Sequence, residues 1–306
     1  MTLAVLLAVV LAAVNGGSDV AKGVATLARA GVTGYWTANG WGALTTLVGG
    51  VAAVWCGAAM NKLFSAGVLA TVPTPALAVA VPAGTAGWVG LATLARLPVS
   101  TTHALVGALL GAGVLAAPHA VRWPVLAGRV AVPLPASTVV ASAMTAVLGL
   151  APGAGNSRVL RAVVLPLPTL ARVGRRMRTA LHWDSAGAVG AARGLNDTPK
   201  LAAVAGFVLL PAGLPRAAAT VGVAVAMLPG ALLAGRRVAR RLGEDIVHLH
   251  DTDGLRANLT TALLVGAGAG YGLPMSTTHV STGAIAGARP GRLHGLPYAM
   301  SPSRGR

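Results

Sequence analysis

Long apolar stretches separated by short polar ones set the rhythm of this chain. Residues 44–59, 66–81, 125–150, 201–210 and 217–233 are dominated by Ala, Val, Leu and Gly. Several approach the roughly 20 residues that a helix needs to cross a bilayer. Three further apolar segments are shorter: residues 1–14, 104–117 and 280–288 end at a polar cluster, a proline and an arginine. None is long enough to span as a straight helix. Residues 1–14 also lack a charged leader and a small-residue cleavage site, so they are expected to belong to the fold. The pattern predicts an all-α polytopic membrane protein in which some helices are broken or re-entrant.

Composition agrees. The 306 residues are 55% hydrophobic and 10% charged, with mean hydropathy +0.71, where a soluble domain carries about a quarter charged residues. Forty-one glycines suit membrane helices that approach closely through small residues. The formal net charge of +17 would suggest nucleic acid in a soluble protein. Here the basic residues cluster between apolar segments, at 158–178, 236–241 and 289–306. Nucleic acid is therefore excluded as a partner, and the positive-inside rule places these segments in the cytoplasm. Two crossings between the first pair, at about 186–210 and 217–233, keep that orientation consistent. The single cysteine, Cys56, excludes an internal disulfide and is expected in the core.

The chain also repeats itself. "NGGSDVAKG" begins at Asn15 and "GLNDTPKLA" at Gly194, and each places a lysine three residues after an aspartate: Asp19 with Lys22, Asp197 with Lys200. Each is followed by a second box, "PVSTTH" ending at His103 and "PMSTTH" ending at His279. The offsets are 178 from Asp19 to Asp197 and 176 from His103 to His279. Two matches in register indicate an internal duplication: a first transmembrane repeat over 1–157, a basic linker over 158–184 and a second repeat over 185–306. Interrupted segments at matching places in two halves point to a transporter's binding site near the bilayer midplane.

Pro98 and Pro274 end any preceding helix, and Ser100, Thr101, Thr102 and Ser276, Thr277, Thr278 sit where a new helix would start. Serine and threonine cap helices well. A helix start offers unpaired N–H groups and about half a positive charge. Two such starts facing each other would hold a tetrahedral oxyanion without a formal charge. His103 and His279 follow the boxes as candidates to orient hydroxyls, relay a proton or bind a metal, or as merely structural histidines. Asp19 and Asp197 are intramembrane carboxylates that need a partner, either a coupling cation or Lys22 and Lys200. The other acidic residues, Asp184, Glu244, Asp245, Asp251 and Asp253, are expected in loops or at segment ends.

With both boxes present in both halves, the chain resembles the inorganic phosphate transporter (PiT) family of secondary transporters. The resemblance implies two inverted repeats, with phosphate held between re-entrant hairpins by Ser100, Thr101, Thr102, Ser276, Thr277 and Thr278. It further implies symport with Na+ or H+, the cation lying near Asp19, Asn196 and Asp197. Beyond that coupling ion no cofactor and no catalytic residue is implied. The expected partners are inorganic phosphate and the lipid bilayer, with a homodimer as a further expectation, and the expected location is the cell membrane. The sequence departs from the family pattern at Ser18, where an asparagine is usual, and at Lys22 and Lys200, where a later asparagine is common. An ammonium there could take the charge role of a bound sodium. Three rival functions remain open: a carrier of sulfate; a divalent-metal carrier using His103, His279, Asp19 and Asp197; and an intramembrane hydrolase, which lacks the G-x-S-x-G elbow.

Overall fold

The computed structural model describes residues 1–29, 31–95, 97, 99–150, 175–245 and 251–288. Among these, all regular structure is helical, with one isolated bridge between Leu69 and Val121. The first half contains α1 (Thr2–Asp19), α2 (Ala21–Arg29), α3 (Tyr35–Cys56), α4 (Ala58–Lys62), α5 (Pro75–Leu94), α6 (Thr101–Ala116), α7 (Trp123–Leu126) and α8 (Pro133–Leu150). The second contains α9 (Arg175–Leu209), α10 (Arg216–Asp245), α11 (Asp251–Gly270) and α12 (Thr277–Ala288). One turn of π-helix (Leu63–Gly67) follows α4, and another (Ala127–Ala131) follows α7.

Among the described residues, four helical stretches are long and apolar enough to cross a membrane: Thr2–Ala28, Pro75–Leu94, Trp123–Gly149 and Arg216–Gly235. A fifth arises if α3 and the helix after it, bent by 78° at Gly57, count as one. The outward surface is itself apolar: Leu3, Leu6, Val9 and Val10 are exposed on α1, and Leu44, Val48 and Leu91 on α3 and α5. Trp36 and Trp55 project from the two ends of α3. Nineteen residues of helix separate them by about 28 Å, close to the ~30 Å of a hydrocarbon core with aromatic residues at its edges.

Element boundaries in the two halves are similarly spaced. α5 and α11 end 176 residues apart (94 and 270), and α6 and α12 begin at Thr101 and Thr277. α3 and α10 begin 181 apart, at Tyr35 and Arg216. The halves interlock: α1 packs on α10, and its counterpart α9 packs on α3. Glycines set both contacts. Gly16 lies against the Met227 carbonyl and Gly230 against that of Ala13; equivalently, Gly194 lies against the Thr46 carbonyl and Gly49 against that of Ala191. At such distances a side chain would displace the neighbouring backbone, so these positions require glycine.

Several expectations are overturned. "NGGSD" does not interrupt the first segment: α1 runs through it to Asp19, and Val20 stays in the α region (φ −56, ψ −33) before α2. Asn15, Gly16, Gly17, Ser18 and Asp19 are all buried, and tertiary packing overrides their weak helix propensity. The matching box in the second half lies inside an unbroken 35-residue helix, α9, which continues through Pro199. Asn61 Nδ2 donates to the Pro199 carbonyl at 3.3 Å and ties α4 to α9 there. Residues 66–81 are not one helix, because Pro73 and Pro75 flank the Thr74 cap that starts α5. Cys56 is exposed at the end of α3 rather than in the core. Asp184 lies within α9, not in a loop.

The basic stretches lie largely outside the described residues: 158–174, 289–306 and the side chains of 236–241. The Lys22 side chain, on α2, also lies outside them.

Candidate functional site

The two Ser-Thr-Thr-His boxes start helices as their residue types predict. Ser100 is extended (φ −97, ψ 108), and its hydroxyl accepts from the His103 N–H that opens α6. Ser276 Oγ likewise accepts from the His279 N–H at the start of α12. These helix starts meet. Ser276 Oγ donates to Ser100 Oγ at 2.9 Å, and the His103 and His279 rings pack edge to face with centroids 4.7 Å apart. Thr102 Oγ1 donates to the Met275 carbonyl at 3.1 Å, and Thr278 Oγ1 donates to the Val99 carbonyl at 2.8 Å. Every one of these contacts joins residues related by the 176-residue offset or exchanges them reciprocally. That is the geometry of a local two-fold axis passing between the boxes.

Behind the boxes lies a buried charge cluster carried mainly by α9. Asp197, 3% exposed, faces Lys200 Nζ at 3.2 Å and Arg193 Nε at 3.6 Å. The i+3 and i+4 spacings put all three on one side of the helix. Lys200 Nζ also donates to Thr102 Oγ1 at 2.9 Å and to the Met275 carbonyl at 3.0 Å. Asn196 clamps the same loop: its Nδ2 donates to the Met275 carbonyl at 3.0 Å, and its Oδ1 accepts from the Met275 N–H at 3.2 Å. Asp19, 2% exposed, accepts from Ser18 Oγ at 3.0 Å and from Thr277 Oγ1 at 3.5 Å. The side chain of Thr101, equally at a helix start, is buried and its hydroxyl makes no hydrogen bond to protein.

This arrangement can be compared with known proteins. The sequence profile of the Phosphate transporter family matches residues 15–165 and 169–292. The chain belongs to the phosphate transporter family. It is similar to the probable low-affinity inorganic phosphate transporter of Mycobacterium leprae (strain TN), 28% identical over 286 residues, covering 91% of this chain and 66% of that protein. The protein of the same description from Rhizobium meliloti (strain 1021) is 26% identical over 288 residues, covering 89% and 80%. The chain thus spans 66% of the length of the mycobacterial relative. A solved structure described as the sodium-dependent phosphate transporter superposes with TM-score 0.73 over 97% of this chain and 92% of that one, at 21% identity, which establishes the shared fold.

Within this family member the structure gathers most of the residues singled out from sequence into one place: both Ser-Thr-Thr boxes, both histidines, Asp19, Asn196, Asp197 and Lys200. It adds residues that sequence reasoning missed. Arg193 is 2% exposed; its Nη2 donates to the Asn15 carbonyl at 3.0 Å and to Asn15 Oδ1 at 3.1 Å, and its Nη1 to Thr46 Oγ1 at 3.2 Å. A signal for it existed, because Arg193 and Asn15 are themselves 178 apart, the offset of the two aspartates. The Met275 carbonyl had no sequence signal at all, since main-chain acceptors carry none. His103 is exposed and His279 half-buried, and no group of three His, Cys, Asp or Glu forms a metal site among the described residues.

Proposed function

We propose that this chain carries inorganic phosphate across the cell membrane by symport with H+ or Na+, binding the anion where the two Ser-Thr-Thr boxes meet. The carrying observation is the Ser276–Ser100 hydroxyl contact between two capped helix starts. Opening that bond frees the Ser276 hydroxyl proton and a lone pair on Ser100 Oγ, the Thr277 hydroxyl and the buried Thr101 hydroxyl lie beside it in sequence, and both helix starts point positive ends inward. Thr102 and Thr278 commit their hydroxyls to carbonyls, so their share of the binding is through first-turn N–H groups. His103 Nδ1, 2.8 Å from Ser100 Oγ, orients that hydroxyl. The described buried charges near the site, Asp19 and Asp197 against Arg193 and Lys200, balance. An added anion is therefore uncompensated at membrane depth, and a co-transported cation restores balance. The basic linker and tail lie on the cytoplasmic side in this reading, and no step of it involves catalysis.

Purified protein in proteoliposomes tests this. Labelled phosphate should accumulate across a grid of Na+ and pH conditions, with excess sulfate competing weakly. Equal uptake of sulfate would make the chain a general oxyanion carrier. Thr101→Val and Thr277→Val should each weaken phosphate binding by about 1–3 kcal/mol, roughly 5–150-fold. Unchanged affinity in both would reduce the threonines to helix caps.

A further inference from the structure

Lys200 is 2% exposed, and three oxygens from three separate elements surround its ammonium: Asp197 Oδ1 on α9, Thr102 Oγ1 on α6 and the Met275 carbonyl ahead of α12. A carboxylate, a hydroxyl and a main-chain carbonyl form a donor set suited to hard cations. The Met275 oxygen is polarised further, because it also accepts from Asn196 Nδ2 and Thr102 Oγ1. Asn196 fixes that carbonyl through the Met275 N–H as well, so the cage is braced by side chains other than the lysine. Arg193 approaches Asp197 at Oδ2 and leaves Oδ1 to the cage.

We infer that the Lys200 ammonium fills an alkali-cation site, so that this half of the protein carries its cation covalently and takes up no Na+ at Asp197. Truncating the side chain leaves the cluster one positive charge short, beside oxygens already held for a monovalent ion. A buried carboxylate left beside such oxygens draws a cation from solution in preference to remaining unpaired. The Asp197 half then contributes no exchangeable ion to coupling. The inference deepens the transport reading and rests on it only where phosphate is the probe.

Binding of radiolabelled Na+ to the purified full chain tests it, using wild type, Lys200→Ala and the double variant Lys200→Ala/Asp197→Asn, each checked for folding by size exclusion. Lys200→Ala should gain a saturable Na+ component absent from wild type, and the double variant should lose it. In parallel, the ratio of phosphate affinity in Na+ to that in choline should be roughly tenfold larger for Lys200→Ala than for wild type. A folded Lys200→Ala that gains no Na+ component overturns the inference. So does a Na+ component in wild type that Asp197→Asn removes. Lys200→Asn, which keeps an oxygen donor near the cage, serves if the alanine variant does not fold. If neither folds, Na+ binding to wild type and Asp197→Asn still decides, because a saturable component that Asp197→Asn removes counts against a filled site. A protein that binds no phosphate would fail the transport reading alone, since the Na+ measurement does not require it.

Discussion

Asp197→Ala should cost the protein most of its stability, by about 3–5 kcal/mol, because it leaves buried cations without their carboxylate. One acidic side chain serves both Arg193 and Lys200, each 2% exposed. Removing it strands two charges where water cannot reach. The cost spreads beyond the pair, since Lys200 also holds Thr102 and the Met275 carbonyl and Arg193 holds Asn15 and Thr46. Asp197→Asn keeps the shape and one acceptor oxygen, and should fall between wild type and alanine. The check is thermal unfolding of the purified protein in detergent, with the exposed Asp184→Asn as control. An alanine variant that melts with wild type would mean the cluster does not hold the halves together.

The second large effect is steric. Gly194→Val should prevent α9 from seating on α3, at a cost of about 3 kcal/mol or more. A Cβ at Gly194 would fall on the Thr46 carbonyl, and the Gly50 main chain stands beside it. Neither is a flexible side chain that can swing away. The Thr46 region is also where Arg193 Nη1 binds, so displacing α3 disturbs the charge cluster as well. Gly107→Ala on α6 is the contrasting case: open space surrounds that position, and alanine gains about 1 kcal/mol of helix propensity over glycine. Expression of folded protein, followed by size exclusion and melting, should therefore separate the two. If Gly194→Val folds and melts like wild type, the close packing of α9 on α3 is not required.

Much of the site was legible because duplication is a property of sequence spacing. Once Asp19 and Asp197, and His103 and His279, stood at nearly equal offsets, a shared site between two halves followed without coordinates. Ser100 and Ser276 were legible as caps because a serine after a proline break has few other local roles. The stretch Asn15–Asp19 was misread for the complementary reason. Asn, Gly, Gly, Ser and Asp are poor helix formers by local propensity, yet α1 runs through them because α10 covers the glycines and the site satisfies the polar groups.

By itself the sequence determined the class of protein, the matched spacing of the two pairs of boxes, the two helix starts and the residue types brought to the candidate site, because hydropathy, spacing and capping are local quantities. The tertiary structure decided which charges pair. That Lys200 reaches across to Thr102 and Met275, that Arg193 reaches Asn15, and that the two serines touch depend on how α9 crosses α3 and how the starts of α6 and α12 meet. Those distances are set by glycine contacts between segments far apart in the chain, and a buried charge in a low-dielectric interior is defined by its nearest neighbours in space rather than in sequence.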